Sequence, residues 1–189
     1  MMKDAIAVIM AGGKSSRMQQ DKALLPFGNA STLAEFQYVR LGQLFSKVYL
    51  SAKSNKFDFN VDIIEDNYET SSPLVALISI FETLKVDEVF VLSVDSPFVS
   101  EEVIAKLYAR RNDDADIIIA ESAQGREPLC AIYRRSFLAS AYGALEKNNH
   151  RLQSLFENVT VLSVKIHNEE AFLNLNYPSE YEAAKLKLS

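Results

Sequence analysis

The 189-residue chain has one cysteine, Cys130, and two histidines, His150 and His167. A single cysteine excludes an internal disulfide and suits a reducing compartment, so a cytoplasmic protein is expected. The histidines lie far apart, without H-x-x-x-H spacing, so no zinc site is expected and each reads as structural or surface. No apolar run approaches the roughly 20 residues of a membrane-spanning helix. The first such run is short, lacks a cleavage site and leads straight into glycines, so no signal peptide is expected. Internal repeats, low-complexity tracts and linkers are also missing, which leaves one domain over residues 1–189. A formal net charge of −5 gives no general attraction to nucleic acid or to an anionic membrane. Apolar residues make up 48% and charged residues 24%, a globular balance. A chain of this length buries about two-thirds of its unfolded surface.

What is present concentrates near the start. The apolar run Ala5–Met10 breaks into Ala11-Gly12-Gly13, then Lys14, two serines, Arg17 and Met18, and closes on Asp21-Lys22. A short apolar run bounded by glycine reads as a buried parallel strand leaving a sheet. Glycines without a Cβ let backbone approach a ligand closely. Free N–H groups followed by Lys14, Arg17 and Lys22 suit a polyphosphate. The spacing excludes both a Walker A loop and a G-x-G-x-x-G fingerprint.

Strand and helix patterns then alternate. Thr32 with Glu35 is a capping box, and Leu33, Phe36, Val39, Leu41 and Leu44 follow a helical stripe. Phe45–Ala52 reads as a second strand, and Val61–Ile64 as a third that ends at Glu65-Asp66. Pro73 opens a helix that runs to about Lys85. Glu88–Val94 is the most hydrophobic strand and reads as central and parallel. It stops at Asp95-Ser96-Pro97. Further helices are predicted after Ser100, over Phe137–Glu146, near Arg151–Phe156 and over Ser179–Leu188. Further strands are predicted over Asp116–Glu121, Pro128–Tyr133 and Val159–Ile166, with Ala123–Glu127 as a polar loop. The alternation implies an α/β domain of three layers with a mostly parallel sheet. In such sheets ligands bind beyond the carboxyl ends of the strands. Gly12-Gly13, Asp66 and Asp95 all fall there. From position alone Asp95 reads equally as a metal ligand or as a turn residue before Pro97. Cys130 reads as a small buried hydrophobe.

The stretch Ile9-Met10-Ala11-Gly12-Gly13-Lys14-Ser15-Ser16-Arg17-Met18, followed by Gln19-Gln20 and Asp21-Lys22, resembles the signature L-x-G-G-x-S-x-R-M-x-x-D-K. That signature marks nucleotidyltransferases that join a nucleoside monophosphate to a phosphorylated acceptor. Among these, the chain is most similar to the molybdenum cofactor guanylyltransferases. The resemblance runs from Ile6 to about Tyr181. It implies a Rossmann-like αβα fold and transfer of GMP from GTP to molybdopterin, with Mg²⁺ as cofactor and pyrophosphate as product. It also implies transient contact with cofactor-biosynthesis proteins and acceptor enzymes.

Carried over residue by residue, the resemblance assigns the backbone of Met10, Ala11, Gly12 and Gly13 to the base and phosphates. Arg17 and Lys22 neutralise charge, and Ser51 and Asp66 lie near the nucleotide. Ser93-Val94-Asp95-Ser96-Pro97 is similar to a metal-binding C-x-D-x-P segment, so Asp95 holds Mg²⁺. Arg126, ahead of a strand similar to P-L-x-A-L-Y, and Arg151 meet the anionic acceptor or are surface arginines. Asn174 and Asn176 resemble an N-x-N-T-P motif, with Tyr177 in place of Thr. They face the acceptor or the metal's water shell. Ser72-Pro73-Leu74-Val75-Ala76 departs from the family's G-P-L-x-G, which leaves guanine and cytosine both open. A sugar-phosphate transferase of the same fold and a non-catalytic nucleotide-binding protein are the alternatives.

Overall fold

The computed structural model describes residues 2–12 and 20–187. The predicted Gly13, Lys14 and Arg17 therefore lie outside the described residues. Seven strands form one sheet: β1 Met2–Met10, β2 Phe45–Ala52, β3 Ile63–Glu65, β4 Glu88–Ser93, β5 Ile117–Ser122, β6 Gly125–Arg134 and β7 Val161–Lys165. Their order is β3-β2-β1-β4-β6-β5-β7. Six of them run the same way; β6 is antiparallel to both β4 and β5. The mostly parallel α/β sheet is thus as expected. β4 differs in one respect, being parallel to β1 on one side and antiparallel to β6 on the other.

Among the described residues six α-helices cover the sheet: α1 Leu33–Gly42, α2 Pro73–Leu84, α3 Glu101–Tyr108, α4 Leu138–Glu146, α5 Leu152–Leu155 and α6 Pro178–Leu186. Strand alternation divides the core into two. Ala7 and Ile9 of β1 face Leu33 and Leu41 of α1, with α3 and α6 on the same side. Val8 and Met10 face Leu74 and Leu77 of α2, with α4 and α5 beside it. Both faces of β1 and β4 are covered, which is why these strands read as unbroken apolar runs. No helix among the described residues is long and apolar enough to cross a membrane.

Helix starts follow their caps. Thr32 accepts from Glu35 N at 3.1 Å, and Glu35 reaches back to Ser31 N rather than Thr32 N, a one-residue variant of the expected box. Ser72 caps α2 by accepting from Val75 N at 3.2 Å, one residue before Pro73.

The predicted loop over Ala123–Glu127 is instead the tip of a hairpin. β6 starts at Gly125, whose φ of +119° suits glycine at the turn. Pro128 sits inside β6 because the β5–β6 register jumps there: Ile119 pairs with Ala131, but Ala120 pairs with Glu127. The residues between them form a bulge, where a missing N–H leaves no ladder bond unmade.

The order of connections sets the site. From β1 the chain moves to β2 and β3 on one side, then crosses under α2 to β4 on the other. The change of direction falls between β1 and β4, whose last residues Met10 and Ser93 are paired. A crevice opens at such a switch point.

Core packing in the second cluster gives a direct test. Phe81 is fully buried and meets the Phe137 ring at 5.3 Å between centroids. Phe81→Ala is expected to lower unfolding free energy by about 3–5 kcal/mol in urea denaturation. Val39→Ala, on the exposed side of α1, should change it by less than about 0.5 kcal/mol.

Candidate active site

β1 ends where Gly12 begins the crevice wall. Among the described residues, the nearest neighbours a Cβ on Gly12 would meet are Ala52 Cα at 3.9 Å and Ser51 O at 4.0 Å, which leave room for one. Against those neighbours the missing side chain opens the crevice rather than relieving a clash. Ala11 is engaged internally: its N–H donates to Ser51 O at 2.8 Å, and its carbonyl accepts from Lys56 Nζ at 3.1 Å. Met10 O accepts from Val94 N at 3.1 Å, which stitches the two strand ends together.

Asp95 and Lys22 meet across this junction. Lys22 Nζ lies 2.5 Å from Asp95 Oδ2 and 3.1 Å from Asn176 Oδ1. Their side chains are 15% and 18% exposed, so the pair is screened from much of the solvent. Asp95 Oδ1 accepts from the Ser93 hydroxyl at 2.6 Å. Leu175 N donates to Asp95 O at 3.1 Å, and Ser96 Oγ donates to Asn174 Oδ1 at 2.8 Å. The 174–176 segment is anchored in turn by Glu180, whose Oε2 accepts from Asn176 N at 2.7 Å and Tyr177 N at 2.9 Å. Asp95, Lys22, Asn174 and Asn176 are thus brought together from three separate parts of the chain.

Two clefts meet here. One, of about 580 Å³, lies over the ends of β1 and β2 and is lined by Gly12, Ser51, Lys53, Lys56, Asp66 and Ala76, among others. Asp66 accepts from Ser71 Oγ at 3.1 Å. Burial raises its carboxyl above the usual range, opposed by that bond and by Lys53. The other, of about 500 Å³, lies beyond β4 and β6 and is lined by Asp95, Asn174, His150 and Arg151. Pro73, Ser93 and Leu129 line both. Leu129 stands in the β6 bulge, so the irregular strand supplies the partition between the clefts.

Arg126 is not brought to either cleft. Its guanidinium lies over the Phe156 ring at 5.7 Å, and Nε donates to Ser163 Oγ at 3.2 Å on β7. Cys130 is buried, and burial pushes its thiol pKa up, which fits a core hydrophobe in the cleft wall rather than a nucleophile.

Three residues of the site region escaped the sequence reading. Lys56 ion-pairs with Asp21 and so ties the segment after β2 to the far end of the Gly stretch. It lies four residues beyond the end of β2, where no motif marks it. Ser93 reads as a neutral replacement for cysteine but donates to the key carboxylate. His150, expected to be structural or surface, is a cleft residue with both ring nitrogens engaged. Nδ1 lies 3.1 Å from Ser72 Oγ, and Nε2 lies 2.9 Å from Asn148 Oδ1. Asn148 has φ +53°, a turn conformation that asparagine tolerates and that folds His150 back toward α2.

The donor set at Asp95 is all oxygen. A carboxylate and an amide carbonyl already converge on one cationic group, the Lys22 ammonium, and such hard donors suit a divalent cation of the magnesium type. No cluster of three or more His, Cys, Asp or Glu occurs among the described residues, so a metal here would take its remaining ligands from substrate or water.

Comparison with known proteins places this geometry in a lineage. The family model for the MobA-like NTP transferase domain matches residues 7–164. The chain is 42% identical over 183 residues to a molybdenum cofactor guanylyltransferase of Campylobacter jejuni subsp. doylei, covering 96% of this chain and 95% of the relative. It is 36% identical to the protein of that name from Helicobacter pylori, covering 94% and 90%. In structure it is similar to the molybdopterin-guanine dinucleotide biosynthesis protein A of Archaeoglobus fulgidus, with a TM-score of 0.84 at 18% identity over 96% of this chain and 97% of that one, a likeness of fold. The chain belongs to the MobA-like NTP transferase family.

Proposed function

We propose that this chain transfers GMP from GTP to the terminal phosphate of molybdopterin, releasing pyrophosphate. The observation that carries the reading is the meeting of Lys22, Asp95 and Asn176, with Asp95 lining the cleft beyond β4 and its hydrogen-bond partner Ser93 lining both clefts. One cleft suits the nucleotide and the other the acceptor. A phosphate oxygen of the acceptor attacks the α-phosphorus of GTP; the bond to the β-phosphate oxygen breaks, and its electron pair leaves with pyrophosphate. The attacking phosphate is ionised at neutral pH, so no general base is needed. Positioning and charge neutralisation then do the catalysis.

Each residue has a part in that scheme. Asp95, with Asn176 beside it, would hold Mg²⁺, which when bound neutralises triphosphate oxygens. Lys22 exchanges its bond to Asp95 for phosphate oxygens, an exchange that retains a charge partner throughout. Arg17 and the backbone of Gly12 and Gly13 complete the phosphate binding. Asp66 and Ser51 belong to the nucleoside side. Arg151 faces the acceptor's anionic end, with Asn174 holding the turn beside Asp95. Arg126, stacked on Phe156, would have to leave that ring to reach the acceptor. The Ser72 hydroxyl is turned onto Val75 N and His150, and Ala76 adds a methyl to the nucleotide cleft wall. A cytoplasmic setting and transient contact with cofactor-biosynthesis proteins and acceptor enzymes belong to the same reading.

Pyrophosphate release measured with Mg²⁺ and molybdopterin should occur with GTP and not with CTP, ATP or UTP. Release with CTP alone would move the chain to a cytidylyl activity. Asp95→Ala should lower turnover roughly a hundredfold or more, because the charge that anchors the cation is lost. Turnover that stays at the parent level would remove Asp95 from the metal site. Lys22→Ala should weaken GTP binding at least about tenfold more than guanosine binding, read by calorimetry, since the lysine acts on phosphate charge. Equal losses for both ligands would contradict that assignment.

A further inference from the structure

Beneath the turn that carries Asp95 lies a polar pair on α1 with no part in the scheme above. Gln37 is fully buried at the inward position between Leu33 and Leu41, where an apolar side chain would complete the stripe. Its Nε2 lies 3.4 Å from both Ser93 O and Val94 O. Its Oε1 accepts from Arg40, at 3.2 Å from Nε and 2.5 Å from Nη2. Arg40 Nη1 donates to Val99 O. Burial lowers the Arg40 pKa to about 10, opposed by Cys130. A buried amide and a largely buried cation cost desolvation energy that an apolar pair would not. That cost suggests a task beyond filling space.

The geometry identifies the task. Gln37 grips the carbonyls at the start of the Ser93–Val99 segment, and Arg40 grips the carbonyl at its end. Leu175 N, from a separate segment, holds Asp95 O at 3.1 Å, and Val94 N is fixed on Met10 O. The bonds at 3.4 Å are long and individually weak. Their effect lies in where they act, on the two peptide units immediately before Asp95. With the backbone fixed by bonds to α1, to β1 and to the 174–176 segment, the direction of the carboxylate is set by the frame as well as by Ser93 and Lys22.

We propose that Gln37 and Arg40 are positioning residues, a clamp on the Ser93–Val99 segment that aims the Asp95 carboxylate at a divalent cation. The inference rests on the reading of Asp95 as the metal ligand, and the experiment separates the two. The full chain, Gln37→Met, Arg40→Lys and Asp95→Ala are compared for Mn²⁺ affinity of the protein–GTP complex by electron paramagnetic resonance. Mg²⁺ half-saturation of pyrophosphate release, GTP affinity in EDTA and Tm are measured alongside. Gln37→Met removes the donor at equal length and should weaken Mn²⁺ binding roughly 10-fold to 100-fold. Mg²⁺ half-saturation should rise in step, with GTP affinity in EDTA unchanged. Arg40→Lys keeps the charge but loses the fork, and should shift the same quantities in the same direction by less. A lower Tm with unchanged metal affinity would show the pair to be structural only and overturn the clamp. If Asp95→Ala also leaves Mn²⁺ binding intact, it is the metal assignment of Asp95 that fails. If Gln37→Met does not fold, Arg40→Lys alone decides: unchanged Mn²⁺ affinity overturns the proposal.

Discussion

The parallel pairing of β1 with β4 is the constraint from which the rest follows. These two strands are distant in sequence, and their register puts Met10 opposite Ser93. Beyond that pair lies the candidate site, with Gly12 on one side and Asp95 on the other, and one further hydrogen bond from Val94 N to Met10 O closes the seam. Apolar burial on both faces holds the register. Slipping β1 by one residue would move Val8 and Met10 from the α2 face to the α1 face and expose the mismatch at once. A carboxylate and an ammonium separated by 73 residues can then meet reproducibly, because the elements carrying them have no freedom to slide.

Much of this frame was legible because the chain punctuates itself. Phe45–Ala52 and the start of α2 at Pro73 could be read to the residue, since β-branched alternation and a Ser-Pro cap are local signals. The β5–β6 hairpin was not legible in the same way. Gly125-Arg126-Glu127-Pro128 has the composition of a loop, and only pairing with β5 makes strand of it. Pro128 reads locally as a strand breaker; a bulge, which is a property of two strands together, accommodates it.

The site divides along the same line. Gly12, Lys22, Asp95 and Asn176 were visible because each sits at a strand end or in a dense motif. Gln37 was hidden because its spacing is that of a core residue, and only the absence of an apolar side chain at that position marks it. Arg126, open between an acceptor contact and a surface arginine, could not be placed for the converse reason. An arginine beside a hairpin turn says nothing about which way it will lie, and here it covers Phe156 and reaches Ser163. Position along an element survives the step from sequence to fold; direction of a long, flexible side chain does not.

The short contact between Lys22 and Asp95 has a consequence for any ion that binds there. A carboxylate that has lost much of its hydration is costly when unneutralised. Within this chain Lys22 supplies the opposite charge, and Ser93 and Asn176 share the remaining polar contacts. The fold's own charge balance is therefore complete, unlike that of small domains whose folding free energy comes from an ion. The carboxylate read as a metal ligand is thus already neutralised within the chain, and an ion that binds there displaces an internal partner rather than filling an unmet charge.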